Sequence, residues 1–452
     1  MNDEDAVGFK DVKETLRGKL VGGPHELDII SIVSMPGSGK TTLARMISQL
    51  SLISISEQSV VFLRNLLIGK IKACRVHDLV LDFCKEKAEE ENLLLWLKRD
   101  HPGFYSNSDG DRRVRWSTSC SGARSILFRE VSDNTFAVMK NASDIFGSFN
   151  FLRVLDLESV IVYSIPIELR NLRYFAVRIA KHCIPSSIDS LSNLETFQVK
   201  GMKEEVTLPY TFWKLVKLRH VHISNIALFR CPYDSGRLEN LATLSSPYFS
   251  SAGDMERVVR RTPNLKKLRC VLDKSWGRGK KGRRFPVLDS LTQLETLKIL
   301  FFHVPKIIPT RLNFPLSLTK VSLCNFPLEF AGISTIANLP TLHVLKLQQV
   351  DFDRNEWEVR DNEFPQLKFL KLENLNLSKW RPSDEAFSCL ERLVLHRCLY
   401  LKAIPSGFGD IDYLQSIEVK SCNQSVIDST MEIRETQVDM LQRCGFKVFI
   451  QQ

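Results

Sequence analysis

Apolar residues recur along this chain in one short phrase, Leu-x-x-Φ-x-Φ, where Φ is apolar. The phrase starts at Leu152, Leu172, Leu194, Leu218, Leu241, Leu265, Leu294, Leu318, Leu342, Leu367, Leu390 and Leu414, a mean interval of about 24 residues. Leu152/Leu155/Leu157, Leu342/Leu345/Leu347, Leu367/Leu370/Leu372 and Leu390/Leu393/Leu395 are its clearest copies. Alternation of the last apolar positions with polar ones is the period of a strand that buries one face. Several units add Ile165-Pro166, Ile184-Pro185, Leu208-Pro209 or Ile404-Pro405 about a dozen residues later, marking a turn to the outer side. Each unit therefore reads as a short strand and an irregular return. Neither can bury its apolar face alone, so neighbouring units must stack.

The interval falls in the leucine-rich-repeat range. The predicted fold class is α/β, a leucine-rich-repeat solenoid (horseshoe) of about twelve repeats over residues 151–430. The residue between the last two apolar positions points onto the inner face. Along the repeats it reads Asp156, Ala176, Gln198, His222, Ser245, Arg269, Lys298, Ser322, Lys346, Lys371, Val394 and Glu418, with Lys267, Lys320 and Arg392 slightly earlier in their own repeats. From the sixth repeat to the eleventh this face is basic. Arg269, Lys298, Lys346 and Lys371 are accordingly the candidate partner-binding residues, and the chemistry predicted for the partner is an acidic surface.

The charge balance sharpens this picture. Lys and Arg number 62 against 52 Asp and Glu, a net +10. Residues 257–284 hold twelve cations (Arg257, Arg260, Arg261, Lys266, Lys267, Arg269, Lys274, Arg278, Lys280, Lys281, Arg283 and Arg284) against Asp273 alone. The part from Gly277 to Gly282 reads as an exposed inserted loop. A solvated loop, a nuclear-import or nucleic-acid patch and a dock for an acidic protein all fit that composition. The inner face lacks aromatic residues between its cations, which weighs against single-strand nucleic-acid binding. With 452 residues, 44 % apolar and 25 % charged, the chain has ordinary globular composition. Its 11 cysteines are odd in number and hold no Cys-x-x-Cys pair. That excludes a disulfide framework and a zinc site and predicts reduced thiols. The acidic start and the lack of a long apolar run predict neither secretion nor a membrane span, and point to the cytosol, with the nucleus or the membrane periphery as alternatives.

Ahead of the repeats, Leu27–Val33 reads as an apolar strand, then Ser34-Met35-Pro36-Gly37-Ser38-Gly39-Lys40-Thr41-Thr42, then a helix to about Leu50. This is a phosphate loop between strand and helix. The Gly37, Ser38 and Gly39 amides and the helix start would cradle phosphate, Lys40 would reach the outer phosphate oxygens, and Thr41 would ligate Mg²⁺. Ser34 stands where the motif has its first glycine. No second strand with a Mg²⁺-binding acid follows, and Ser59–Asn65 with Lys70–His77 reads as a hairpin. Asp78 caps a predicted helix running to about Leu97, with Leu79, Phe83 and Leu93 inward and Lys85, Glu86, Glu89 and Glu90 outward. No catalytic triad, carboxylate pair or metal-ligand grouping is legible, and no enzyme is predicted.

Val7-Gly8-Phe9, the loop Ser34–Thr42, the stretch Cys74-Arg75-Val76-His77-Asp78-Leu79 and the repeats together resemble plant intracellular NB-ARC leucine-rich-repeat immune receptors, in their coiled-coil, late-blight-resistance-like group of nightshades. The resemblance implies an ADP/ATP switch, repeats that sense pathogen effectors or guarded host proteins, and a hypersensitive defence response. Carried over by position, Gly37, Ser38, Gly39, Lys40, Thr41 and Thr42 would hold ADP or ATP with Mg²⁺ on Thr41. His77 would contact the β-phosphate as the histidine of the family's Met-His-Asp motif, with Val76 replacing its methionine. Only 33 residues separate Thr42 from Val76, where the family has the rest of its switch domain. The chain thus resembles an N-terminally truncated, internally deleted receptor, with a P-loop remnant over 1–50, a winged-helix-like remnant over 51–100, a linker and repeat cap over 101–150 and a C-terminal cap over 431–452. The NB-ARC domain of a full-length paralogue is a second implied partner. A minimal P-loop NTPase using Lys40 and Thr41, or a nucleic-acid binder using the basic inner face, are the competing functions.

Overall fold

The computed structural model describes residues 94–97, 122–128, 137–139 and 141–451, apart from 148, 231–235, 274–284, 286, 304–311 and 441–444. The phosphate loop, His77, the predicted hairpin and the loop from Gly277 to Gly282 lie outside the described residues.

One parallel ladder runs through the described chain. Its strands are β1 (Leu94–Leu97), β2 (Ser125–Phe128), β3 (Val154–Val162), β4 (Tyr174–Ile179) and β5 (Thr196–Gly201). Next come β6 (His220–Ile223), β7 (Thr243–Phe249), β8 (Lys267–Leu272), β9 (Thr296–Phe301) and β10 (Lys320–Cys324). The ladder closes with β11 (Val344–Gln348), β12 (Phe369–Glu373), β13 (Arg392–His396), β14 (Ser416–Lys420) and β15 (Lys447–Gln451). Every strand pairs in parallel with the next. In β10, β11, β12 and β14 buried and half-buried residues alternate strictly, as the repeat phrase requires. The buried positions join one continuous core from Ala123 to Phe446.

Each phrase opens on a turn that its sequence dictates. The amides of Leu172, Leu194, Leu218 and Leu265 donate to carbonyls three residues earlier, at Leu169, Leu191, Leu215 and Thr262. The residue just before the opening leucine reaches back to the preceding repeat. Asn171 Nδ2 donates to Asn150 O at 2.8 Å, Asn193 to Arg170 O at 2.8 Å, Asn240 to Val216 O at 2.9 Å and Asn264 to Glu239 O at 2.9 Å. Pro185, Pro209 and Pro405 stand directly before the 3-10 turns Ser186–Ser190, Tyr210–Lys214 and Ser406–Asp410, so these Φ-Pro pairs do mark the outer turn. Other returns are helical rather than irregular: α1 (Ala142–Phe146), α2 (Ala252–Arg261), α3 (Phe330–Ala337) and α4 (Gln424–Glu435). The α4 start is capped by Asn423, whose side chain accepts from the Val426 amide at 3.2 Å.

Two findings differ from the sequence expectation. Leu94–Leu97, predicted as the last residues of a helix from Asp78, form a strand instead, Leu94-Leu95-Trp96-Leu97 pairing with Ser125-Ile126-Leu127-Phe128, and the rest of that predicted helix lies outside the described residues. A run of consecutive apolar residues carries no helical period, and pairing with an apolar strand overrides leucine's helix propensity. The ladder also extends past residues 151–430 at both ends, through β1 and β2 before and β15 after. Between the outer strands Glu356–Val359 and Lys379–Pro382, Trp357 pairs with Trp380, the rings stacked at 5.3 Å and 0°. Phe352, Phe364, Phe387 and Phe408 extend this pile and fill the outer half of three repeats.

Candidate functional site

The inner-face residues read from the sequence form one aligned row. Asp156, Ala176, Gln198 and His222 are paired in turn, and Ser245 through Arg269, Lys298, Ser322, Lys346, Lys371 and Val394 to Glu418 are paired in turn. The four predicted partner-binding residues, Arg269, Lys298, Lys346 and Lys371, therefore share one face. Lys267, Lys320 and Arg392 stand two residues earlier in their strands, on the same face, in a second row that also carries Thr296, Val344 and Phe369.

Three electrostatic zones follow one another along this face. At its start a bulge in β3 between Leu157 and Ile161 lets Glu158 reach over the sheet. Gln198 Nε2 donates to Glu158 Oε2 at 2.6 Å and Arg178 Nε to the Glu158 carbonyl at 2.8 Å. Burial pushes the Asp156 carboxyl up, and burial with the nearby Asp156 and Glu158 charges pushes up the Tyr174 phenol. In the next zone His220 and His222 stack at 6.4 Å and 7°. His220 Nδ1 lies 3.2 Å from Thr243 Oγ1 and His222 Nδ1 lies 3.4 Å from Ser245 Oγ, while the buried His222 Nε2 has no partner among the described residues. Burial, then repulsion from Lys267, holds the His222 imidazole below its ordinary range.

The third zone is basic, but more narrowly than the sequence implies. Lys371 Nζ sits 2.8 Å from Glu373, Arg392 pairs with Glu418 at 2.6 Å, and His396 Nε2 lies 3.0 Å from the same carboxylate. Lys346 Nζ and the Arg392 guanidinium both lie over the Phe369 ring, at 5.1 and 5.8 Å. The later part of the stripe is thus compensated by carboxylates from neighbouring positions. Uncompensated charge gathers on β8, β9 and β10, where Lys267, Arg269, Lys298 and Lys320 make no ion pair among the described residues. Among these residues, too, no group of three or more His, Cys, Asp or Glu could hold a metal, and the cysteines present are free. Contrary to the sequence expectation, an aromatic ring does stand among the inner-face cations: Phe369 lies between Val344 and Arg392 in the row beside that of Arg269 and Lys298.

A family described as a leucine-rich repeat region matches residues 131–324. A late blight resistance protein homologue of Solanum demissum, R1B-16, is 44 % identical over 407 residues, 84 % of this chain and 31 % of that protein. Late blight resistance protein R1-A of the same species is 41 % identical over 420 residues, 86 % of this chain and 32 % of its own length. Its homologues are late blight resistance proteins. The chain spans about a third of the length of the relatives it matches. Among solved structures, a leucine-rich-repeat protein of Leptospira interrogans aligns with a TM-score of 0.41 at 16 % identity, over 80 % of this chain and 97 % of that one. No helix among the described residues is long and apolar enough to cross a membrane.

Proposed function

We propose that this chain acts in plant disease resistance as a receptor-type recognition protein, its repeat array binding a pathogen effector or a host protein through the inner face. The observation that supports this reading is similarity to resistance proteins over 84 % of the chain, together with an inner face whose side chains stand in register from Asp156 to Glu418. A face built from many short strands offers a broad, graded surface, suited to another protein rather than to a small substrate. In the same reading, Gly37, Ser38, Gly39, Lys40, Thr41 and Thr42, with His77, hold ADP or ATP and Mg²⁺, and the chain senses rather than catalyses. The NB-ARC domain of a full-length paralogue is a further proposed partner for the basic zone, and the cytosol is the proposed compartment.

The test pairs recognition with its surface. Candidate effectors and guarded host proteins are immobilised, and association of the intact chain is compared with that of the Lys298→Glu/Lys346→Glu variant. Partner binding with an on-rate lowered about tenfold in the variant is the expected result. Identical kinetics for both chains would remove the basic inner face from the reading. A parallel titration with labelled ADP and Lys40→Ala reports on the phosphate loop independently of the repeats.

A further inference from the structure

Each later strand of the ladder leaves the sheet in the same way. The residue just after β10, β11, β12, β13 and β14 has a positive φ: Asn325 at 51°, Gln349 at 50°, Asn374 at 50°, Arg397 at 52° and Ser421 at 51°. In the first three of these repeats the following side chain is Phe326, Val350 or Leu375, each at most 2 % exposed. In the next two it is Cys398, 3 % exposed, and Cys422, half-buried. Among the described cysteines only these two hold matching positions in neighbouring repeats. Adjacent strands lie about 4.8 Å apart, inside the span of about 4.4–6.8 Å between Cα atoms that a disulfide bridges. Cys398 Sγ lies 3.5 Å from the Leu372 carbonyl and 3.6 Å from that of His396. Cys422 Sγ lies 3.6 Å from the Leu395 carbonyl and 3.5 Å from that of Lys420, so it leans back over the strand that leads to Cys398. The two thiols meet as a hydrogen-bonded pair. That bond, outweighing burial, holds the Cys422 thiol below its ordinary range, and the same bond with burial pushes Cys398 up.

We propose that Cys398 and Cys422 form a reversible oxidation site that closes a disulfide between neighbouring repeats on reaction with a hydroperoxide. Cysteine packs as a small hydrophobe, which accounts for one buried thiol at such a position. It does not account for two sulfurs in contact, one of them favoured as thiolate and reached from solvent. Cys422 is therefore the attacking sulfur. Its thiolate forms a bond to one oxygen of hydrogen peroxide, the O–O bond breaks, and hydroxide leaves with the proton that Cys422 had released, as water, giving a sulfenic acid. The Cys398 sulfur then bonds to that of Cys422, the S–O bond breaks, and the Cys398 proton leaves with the hydroxyl group as a second water. Two thiols lose two electrons and one peroxide becomes two waters. The link falls beside Asn423, which caps α4 and donates to the Leu399 and Leu401 carbonyls at 3.2 and 2.9 Å. Oxidation thus adds a covalent tie where the last helical return is already fastened to the preceding repeat. This site does not depend on the protein-recognition reading above.

The experiment treats the intact, reduced chain with hydrogen peroxide, blocks the remaining thiols with iodoacetamide and digests with trypsin in the absence of reductant. Cleavage after Arg397, Lys402, Lys420 and Arg434 puts Cys398 and Cys422 in separate peptides, each with a single cysteine. Mass spectrometry of the monomeric chain should find 398–402 joined to 421–434 as the principal disulfide, lost on treatment with dithiothreitol and scrambled among other cysteines when peroxide is added in urea. In Cys398→Val, which copies Val350 at the matching position, the linked peptide should be lost. Dimedone, a trap for sulfenic acid, should then label Cys422 ahead of the exposed Cys183. Absence of the linked peptide at a peroxide dose that oxidises Cys183 would overturn the proposal, and so would Cys422 joined to any other cysteine or a link found only in dimers. Dimedone on Cys183 with none on Cys422 would overturn the order of attack. Should Cys398→Val unfold, the linked peptide of the unaltered chain decides the matter alone.

Discussion

Trp357→Ala tests the outer aromatic pile and with it the rigidity of the later repeats. Trp357 is 1 % exposed and contacts Phe352 at 5.4 Å, Trp380 at 5.3 Å, Phe364 at 5.9 Å and Phe387 at 5.9 Å between ring centres. Truncating a buried Trp costs about 3–5 kcal/mol, and loss of favourable ring geometry adds about 0.5–1.5 kcal/mol per pair, not additively. With four rings around it and a rigid pile unable to collapse, the expected loss is about 5 kcal/mol. Trp357→Phe should behave differently. The indole N–H is buried without a hydrogen-bond partner among the described residues, so removing it relieves about 1–3 kcal/mol and offsets the smaller ring. Its net cost should be within about 1 kcal/mol of zero. Urea unfolding followed by far-UV circular dichroism gives the difference, and amide exchange at Leu345, Leu370 and Leu393 locates it, since a repeat array loses stability mainly among nearest neighbours. A cost below about 2 kcal/mol for Trp357→Ala, or equal costs for Ala and Phe, would refute the packing argument.

Two further perturbations read other parts of the array. The His222 imidazole is held below its ordinary value of 6.5 in the folded chain. The unfolded chain therefore takes up its proton first as pH falls, and stability should be full above about 6.5 and decline below it; His222→Gln should flatten that part of the profile of melting temperature against pH, and an unchanged profile would sink the idea. Gln437, fully buried, donates through Nε2 to the Gly409 carbonyl at 2.7 Å and the Ile411 carbonyl at 3.0 Å. Gln437→Ala orphans the Gly409 carbonyl and leaves that of Ile411 with its Leu414 amide donor at 3.3 Å, so it should cost about 1–3 kcal/mol in the same urea assay, whereas a loss under about 0.5 kcal/mol would mean that other donors replace it.

The ladder was legible because its signal is periodic. A phrase repeated twelve times with period-2 alternation fixes both which residues are buried and which stand in a row, and the pairing of Arg269 with Lys298 and of Lys346 with Lys371 follows from it. The strand Leu94–Leu97 was not legible, since an all-apolar run has no period to separate strand from helix. Charge balance was legible only in part. Glu373, outside the row, neutralises Lys371 from two residues along its own strand, and Glu418, in the row, neutralises Arg392 of the row beside it, pairings that a row read one position at a time does not reveal. The Trp357–Trp380 stack escaped because it lies in the returns, whose lengths vary from repeat to repeat.

The asparagines ahead of the opening leucines have a bearing on how such a chain changes over generations. Asn171, Asn193, Asn240 and Asn264 each donate to a backbone carbonyl of the preceding repeat, never to a particular side chain there. The joint is therefore indifferent to the neighbour's sequence. A whole unit can be duplicated, lost or exchanged by recombination, and the newcomer needs only its own amide side chain and a carbonyl for its successor. Copy number and the inner-face residues are thereby free to diversify while the joinery stays constant.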